Sequence, residues 1–265
     1  MLAKKRKKWQ FFYLCSYKNA IQMTFDITIP VLNEEATLAE NVKILHHFIS
    51  QHFRDKSQWK IIIADNGSTD KTEEIARKLS KEIPEIELVK VPKRGVGLAL
   101  KTSWGQSKAD IVGYMDLDLA TDLPHFLEAY EAIDKKGYDF VYASRLHKKS
   151  EVINRTFKRE LSSRGFNSLL KMYLGIHFSD GMCGFKFLKR STFQQLFEKG
   201  AKNDGWFFST ELLTVGEWLG VKIYELPVKW TDDAGSSKVK VIPLAKRYIQ
   251  NMIDLKRGKG TYFPK

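Results

Sequence analysis

Between residues 25 and 144 the chain alternates short apolar runs with stretches of helical periodicity, and few folds accommodate that rhythm. The apolar runs lie at 25–31 (FDITIPV), 59–64 (WKIIIA), 86–91, 111–115 and 138–143. Each reads as a strand, bounded by polar or turn-forming residues. Pro30 marks the end of the first, since proline cannot donate to a ladder. Asn33 followed by Glu34 and Glu35 reads as an N-cap with first-turn acids, opening a helix to about residue 51. Further helices are expected from Asp70 or Thr72 to 82, over 97–107 and over 123–135. Strands separated by helices need crossover connections, so the expected class is α/β with a mainly parallel central sheet flanked by helices. Such a sheet binds its ligand beyond the carboxyl ends of its strands.

After residue 144 the rhythm changes. Residues 154–174 have a helical pattern, with Phe157, Leu161, Leu169 and Tyr173 recurring near one face and Arg155, Lys158, Arg159 and Arg164 elsewhere. A glycine-bearing turn at 180–184 leads to a strand-like piece at 185–188. A helix over 206–219, a strand over 221–230 and a helix over 243–255 come next. Neither an internal repeat nor a low-complexity linker interrupts this order. The expectation is one domain over 25–255, with a functional division near residue 145 into parts 25–144 and 145–255. A basic extension (1–24) precedes it and a basic tail (256–265) follows.

The formal net charge of +13 is unevenly spread. Residues 1–25 carry +6, 26–144 carry −5, 145–190 carry +8, 191–228 carry −2 and 229–265 carry +6. Clustered Lys and Arg attract nucleic acid, anionic lipid or a phosphorylated ligand through the same Coulomb attraction. A basic nucleic-acid-binding module is one reading, but no recognition helix or stacking module supports it, and nucleic acid is not the expected partner. Two cysteines, Cys15 and Cys183, exclude a disulfide scaffold and a cysteine-only zinc site. Cys183 reads as a buried small residue rather than a nucleophile. No apolar run reaches ten residues, too short for a membrane-crossing helix. Lys4 to Lys8 followed by WQFFYLC suits a membrane-touching leader; the alternative is that 1–22 has no role, because Met23 directly precedes the first strand.

Four polar clusters follow predicted strands: Asn33-Glu34, 65–70 (DNGSTD), 94–97 (RGVG) and Asp116-Leu117-Asp118. In a parallel sheet all four converge on one edge. Asp116 and Asp118, one residue apart, can turn both carboxylates to the same side of an extended segment. Two like charges that close call for a cation, and Mg²⁺ or Mn²⁺ bridging a diphosphate suits hard carboxylate oxygens. The alternative is a solvated acidic turn, with Asp122 capping the next helix. DNGSTD offers short hydrogen-bonding side chains, and Gly67 permits a tight turn. RGVGLAL follows the third strand and has Leu100 where a dinucleotide fingerprint needs glycine. Arg94 before a helix amino terminus still suits a phosphate. Arg145, Arg155, Arg159 and Arg164, mixed with large apolar residues, suit a phosphate carried on a lipid; equally, they could cover the sheet and reach to water.

These pieces together resemble inverting family 2 glycosyltransferases of the GT-A fold, most of all the dolichyl- and polyprenyl-phosphate hexosyltransferases. The resemblance rests on PVLNE, DNGSTD, RGVGLAL, MDLDLAT, ASR, SRGFN, SDGMCGFK, WFFSTELL, ELPVKW and GSSK, in the family's order from residue 25 to 255. It implies that Pro30, Asn33, Glu34 and Asp65, with Asn66 and Gly67, line the nucleotide pocket. Asp116 and Asp118 resemble the pair that holds a metal on the donor diphosphate. Arg145, Arg164 and Lys186 correspond to groups for the acceptor phosphate or the leaving diphosphate. Glu211 would face the sugar or position the acceptor, and Ser237 and Lys238 would close over the donor. MDLDLAT and WFFSTELL are more similar to the glucosyl than to the mannosyl branch. The resemblance therefore implies metal-dependent transfer of a hexose, glucose favoured, from UDP-hexose to a dolichyl or polyprenyl phosphate. Other donors (GDP-mannose, UDP-N-acetylglucosamine) and a soluble or polysaccharide acceptor stay open. The implied location is cytoplasmic, peripheral on the cytoplasmic face of an anionic membrane, with a membrane protein as a further potential partner.

Overall fold

A computed structural model describes residues 23–232 and 241–262. The strands are β1 (Phe25–Val31), β2 (Trp59–Asp65), β3 (Ile86–Lys90), β4 (Ile111–Met115), β5 (Phe140–Ser144), β6 (Glu151–Ile153), β7 (Phe185–Lys189), β8 (Ile223–Pro227) and β9 (Lys229–Thr231). The helices are α1 (Leu38–His52), α2 (Thr72–Glu82), α3 (Val96–Gln106), α4 (Pro124–Asp134), α5 (Phe157–Leu174), α6 (Arg190–Glu198), α7 (Phe208–Trp218) and α8 (Val241–Tyr262).

Seven strands form one sheet in the order β3-β2-β1-β4-β7-β5-β8. Every neighbouring pair is parallel except β4–β7 and β7–β5, so the expected mainly parallel α/β sheet is present with one antiparallel strand inside it. Pro30 fits because the β1–β4 ladder stops at Thr28, before the missing N–H would matter. The reversed β7 also redirects the chain. Its first residue, Phe185, pairs with Met115 at the carboxyl end of β4, which brings the preceding turn to the edge where the parallel strands finish.

Side chains alternate between two cores. Ile111 and Met115 of β4 join a core with α1, α2 and α4, while Val112 and Tyr114 join one with α3, α5, α6, α7 and α8. Several details differ from the sequence expectation, among them helix α8, expected over 243–255 and found over Val241–Tyr262, so that it takes in residues 256–262 of the expected tail. Helix α1 begins at Leu38, not beside Asn33, because Asn33 adopts a left-handed conformation (φ 56°) and its side chain is engaged elsewhere. The expected strand over 221–230 is two strands: β8 joins the main sheet, and β9 pairs in parallel with β6 in a separate ribbon. Strand β6 and helix α6 have no counterpart in the sequence expectation, β6 being only three residues long and α6 following β7 without a break.

Candidate active site

The first two strand-end loops are stitched to each other. Asn33 Oδ1 accepts from the Thr69 N–H at 2.8 Å, and the Asn33 N–H donates to Ser68 Oγ at 3.0 Å. The Glu34 N–H donates to Thr72 Oγ1 at 2.8 Å, and Glu35 Oε2 accepts from the Lys71 N–H at 2.9 Å. Asp65, buried at the end of β2, accepts from the Ser68 N–H at 3.0 Å. Gly67 takes φ 82° in this turn, a left-handed conformation that a side chain would strain. Asn66 reaches the third loop, its Oδ1 accepting from the Gly95 N–H at 2.5 Å. Pro30, Asn33, Glu34, Asp65, Asn66 and Gly67 therefore belong to one connected rim, with Arg94 exposed beside it.

At the amino terminus of α3, behind Arg94, two backbone amides are taken up within the protein. The Gly97 and Leu98 N–H groups donate to the Gly205 and Asp204 carbonyls at 3.2 and 3.1 Å. A Cβ at Gly95 or Gly97 would collide with the carbonyl oxygens of Asp204 or Asn203. The glycines of RGVG thus admit a second protein segment, and an anion there would meet the Arg94 side chain rather than these amides. The same segment holds Glu211: its Oε2 accepts from the Asn203 N–H at 2.6 Å. Burial pushes the Glu211 carboxyl up to about 7, against the backbone hydrogen bond from Asn203 and the charge of Lys101.

Asp116 sits at the carboxyl end of β4, half-buried, and Asp118 is exposed two residues on. The Asp116 N–H donates to the Gly184 carbonyl at 3.0 Å, and a Cβ added to Gly184 would coincide with the Asp116 carboxylate. The carboxylate lies flat against Gly184, where only glycine leaves room. Leu119 adopts φ 52°, which turns the chain sharply enough for the Ala120 N–H to reach Asp118 Oδ1 at 3.0 Å. Burial, then the charge of Asp118, raises the Asp116 carboxyl to about 7, while Arg145 and Lys186 oppose the shift. Two crowded carboxylates, all hard oxygen, fit a divalent cation. Among the described residues no group of three or more His, Cys, Asp or Glu is placed to hold a metal. A cation here would complete its shell from phosphate oxygens or water.

Behind this pair lies a buried polar cluster from the turn before β7. Asp180 is fully buried and grips Arg145 with both oxygens, at 2.7 Å from Nε and 3.0 Å from a terminal nitrogen; it also accepts from the Arg145 N–H at 3.1 Å. Burial pushes the Asp180 carboxyl up, but Arg145 outweighs it and holds the group down at about 2. Lys186, fully buried, donates to the Cys183 and Gly181 carbonyls at 2.7 and 3.2 Å. Burial lowers its ammonium to about 8, with Cys183, Asp180 and Asp116 opposing. Cys183 is buried as expected, and burial pushes its thiol up to about 12, far from a nucleophile.

The structure thus gathers Asp116, Asp118, Arg145 and Lys186 in one place and the nucleotide-loop residues along the adjoining rim. Arg164 stands apart, exposed on α5 and paired with Glu160 at 2.5 Å. Ser237 and Lys238, like Cys15 and residues 1–22, lie outside the described residues. Asp180 and Gly184 do not stand out in the sequence, although both lie in the SDGMCGFK segment. Their importance comes from the pairing of β7 with β4, a contact between residues about 70 apart in the chain.

Residues 26–197 match the family model described as Glycosyl transferase family 2. Glycosyltransferase AglD of Haloferax volcanii is 31% identical over 82% of this chain, which spans only 34% of that relative's length. A dolichyl-phosphate beta-glucosyltransferase of Trichomonas vaginalis is 31% identical over 83% of this chain and 69% of its own. The same-named protein of Saccharomyces cerevisiae is 25% identical over 85% of this chain and 72% of its own. Among solved structures, glucosyl-3-phosphoglycerate synthase from Mycobacterium tuberculosis, crystallised with Mn²⁺, UDP-glucose and phosphoglyceric acid, superposes with a TM-score of 0.63. It is 21% identical, over 89% of this chain and 80% of that one, a likeness of fold.

Proposed function

Because the chain belongs to glycosyl transferase family 2 and is a glycosyltransferase, we propose that it transfers glucose from UDP-glucose to a dolichyl or polyprenyl phosphate, inverting the anomeric centre. The observation that carries the reading is Asp116 seated on Gly184 with Asp118 beside it, at the edge where the strand-end loops meet. The acceptor and sugar in the names of the dolichyl-phosphate beta-glucosyltransferases support the rest.

Asp116 and Asp118 would hold Mg²⁺ or Mn²⁺, and a bound cation would neutralise charge on the departing diphosphate. The Asn33–Thr69 and Asn66–Gly95 bonds hold the rim that receives the nucleotide. Pro30, Glu34, Asp65 and Gly67 shape it, and Arg94 offers its charge to the phosphates. Asp180 fixes the partly exposed Arg145 guanidinium, and Lys186 adds a buried positive charge; both offset two anions brought close together. A phosphate monoester is already anionic near neutral pH and attacks without a strong base. Arg164, exposed on α5, would meet an acceptor phosphate arriving along that helix. Ser237 and Lys238 are assigned to the donor by family likeness alone.

Glu211 favours a second reading. A buried carboxyl raised to about 7 is poised as a general base, which a hydroxyl acceptor would need and a phosphate would not. Incubation with labelled UDP-glucose, Mn²⁺ and undecaprenyl or dolichyl phosphate, followed by butanol extraction, separates the two. Label in the butanol phase, at least tenfold above that from UDP-N-acetylglucosamine, UDP-galactose or GDP-mannose, is expected. Label transferred only to water-soluble acceptors would overturn the lipid-phosphate reading.

A further inference from the structure

Strand β9 is three residues long, yet it is bonded on both sides. Its Lys229 carbonyl accepts from the Asp122 N–H at 3.1 Å, and its Thr231 N–H donates to the Ala120 carbonyl at 2.9 Å. Between these two bonds Thr121 and Trp230 form an antiparallel bridge. On the other side Val152 of β6 lies opposite Trp230, and just past β9 the Asp232 N–H donates to the Ile153 carbonyl at 2.9 Å. Lys229 also pairs with Asp122 at 3.3 Å. The strand is thus fastened to the segment that leaves Asp118, the same turn in which the Ala120 N–H reaches Asp118 Oδ1. What it carries there is Trp230, a large side chain only 8% exposed.

The Arg145 guanidinium lies over the Trp230 ring, its carbon 5.3 Å from the ring centroid. Asp180 takes one edge of the same guanidinium, at 2.7 Å from Nε and 3.0 Å from a terminal nitrogen. A planar cation gripped along one edge can still swing about that edge. An aromatic face laid against it removes that freedom, and it attracts a guanidinium as an aliphatic side chain of equal volume does not. Among the described residues the other terminal nitrogen, Nη1, makes no hydrogen bond. The group is near enough to Asp116 for its charge to oppose the rise of that carboxyl. We propose that Trp230 is a positioning residue for transfer. It fixes the plane of the Arg145 guanidinium relative to the Asp116–Asp118 loop, so that the uncommitted edge meets phosphate oxygens already ordered. Trp230 acts through Arg145 and need touch no substrate. The inference rests on the role given to Arg145 above and names what sets that group's orientation.

Two readouts on the full chain test this, the first without substrate. In proton–nitrogen NMR spectra the Arg145 Nε–H is assigned as the side-chain signal lost in Arg145→Lys. Held by Asp180 and covered by the indole, it is expected to exchange slowly with water. Exchange should quicken about tenfold or more in Trp230→Leu and stay within about threefold of the parent in Trp230→Phe, which keeps a ring face. The second readout is transfer from UDP-glucose to dolichyl phosphate with Mn²⁺, below the thermal midpoint of each variant. Trp230→Leu should lower kcat about ten- to thirtyfold, and Trp230→Phe should recover most of that loss. In an Arg145→Lys background the Trp230→Leu change should cost less than about threefold more, because the group it acts through is gone. Unchanged exchange or unchanged turnover in Trp230→Leu would overturn the proposal. So would a loss that persists in full in the Arg145→Lys background, since a purely structural role behaves that way. Parent-like turnover of Arg145→Lys is a different failure, which would sink the role of Arg145 and that of Trp230 with it. Absence of transfer by the parent would sink the acceptor reading, and the exchange rates would still decide whether Trp230 holds Arg145.

Discussion

Gly184 is the residue on which the site turns, and it carries no functional group. The Asp116 carboxylate occupies the space a side chain would take there. Gly184→Ala should fold, at a cost of about 1–3 kcal/mol from overpacking, yet lower kcat roughly a hundredfold by pushing the carboxylate out of place. Steady-state kinetics beside a denaturation curve would check both; full activity would show that the seat is not needed. Asp118 is exposed, so Asp118→Ala should leave the thermal midpoint within a degree or two and lower turnover about a thousandfold or more. A variant with unchanged rate at saturating metal would remove Asp118 from the mechanism. The acidic pair was legible because its two members are local in sequence. The Asp180–Arg145 clamp was not: a part-buried ion pair between residues 35 apart leaves no periodic or spacing signal.

At the level of elements, the strands and most helices follow from apolar periodicity, and the misses have local causes. Asn33 has the residue type of an N-cap, but its side chain is spent on Thr69, and the cap position of α1 falls at Thr37, four residues later. At the α3 amino terminus the Gly97 and Leu98 amides are satisfied by residues 205 and 204, a tertiary contact that RGVG alone does not announce. That contact also gives Glu211 a testable signature. Its carboxyl is raised from 4.5 to about 7 in the folded protein, so between those values the unfolded chain gives up a proton that the folded protein keeps. Stability is therefore greatest below pH 4.5 as far as this group is concerned. It falls as pH rises towards 7, by up to about 3 kcal/mol. Glu211→Gln should flatten that part of the pH–stability curve and raise the melting temperature at about pH 8 relative to the parent. An unchanged slope would show that Glu211 ionises freely.

At the scale of the whole molecule, the site lies where an acidic half meets a basic one. Residues 26–144 supply the sheet edge and the two aspartates; residues 145–190 supply Arg145, Asp180, Gly184, Lys186 and the basic helix α5. The class of fold could be read from alternation, and the site's edge from the polar clusters that end each strand. Hidden was the antiparallel β7, which threads the second half of the chain into the sheet of the first and so brings the two charge regimes together. The measurement that goes most directly to this arrangement is calorimetric titration of UDP into the parent and Asp118→Ala, each with and without Mn²⁺. The account predicts at least tenfold tighter binding with Mn²⁺ in the parent and no such gain in the variant. Equal affinity with and without metal in the parent, or the same metal dependence in both proteins, would contradict it.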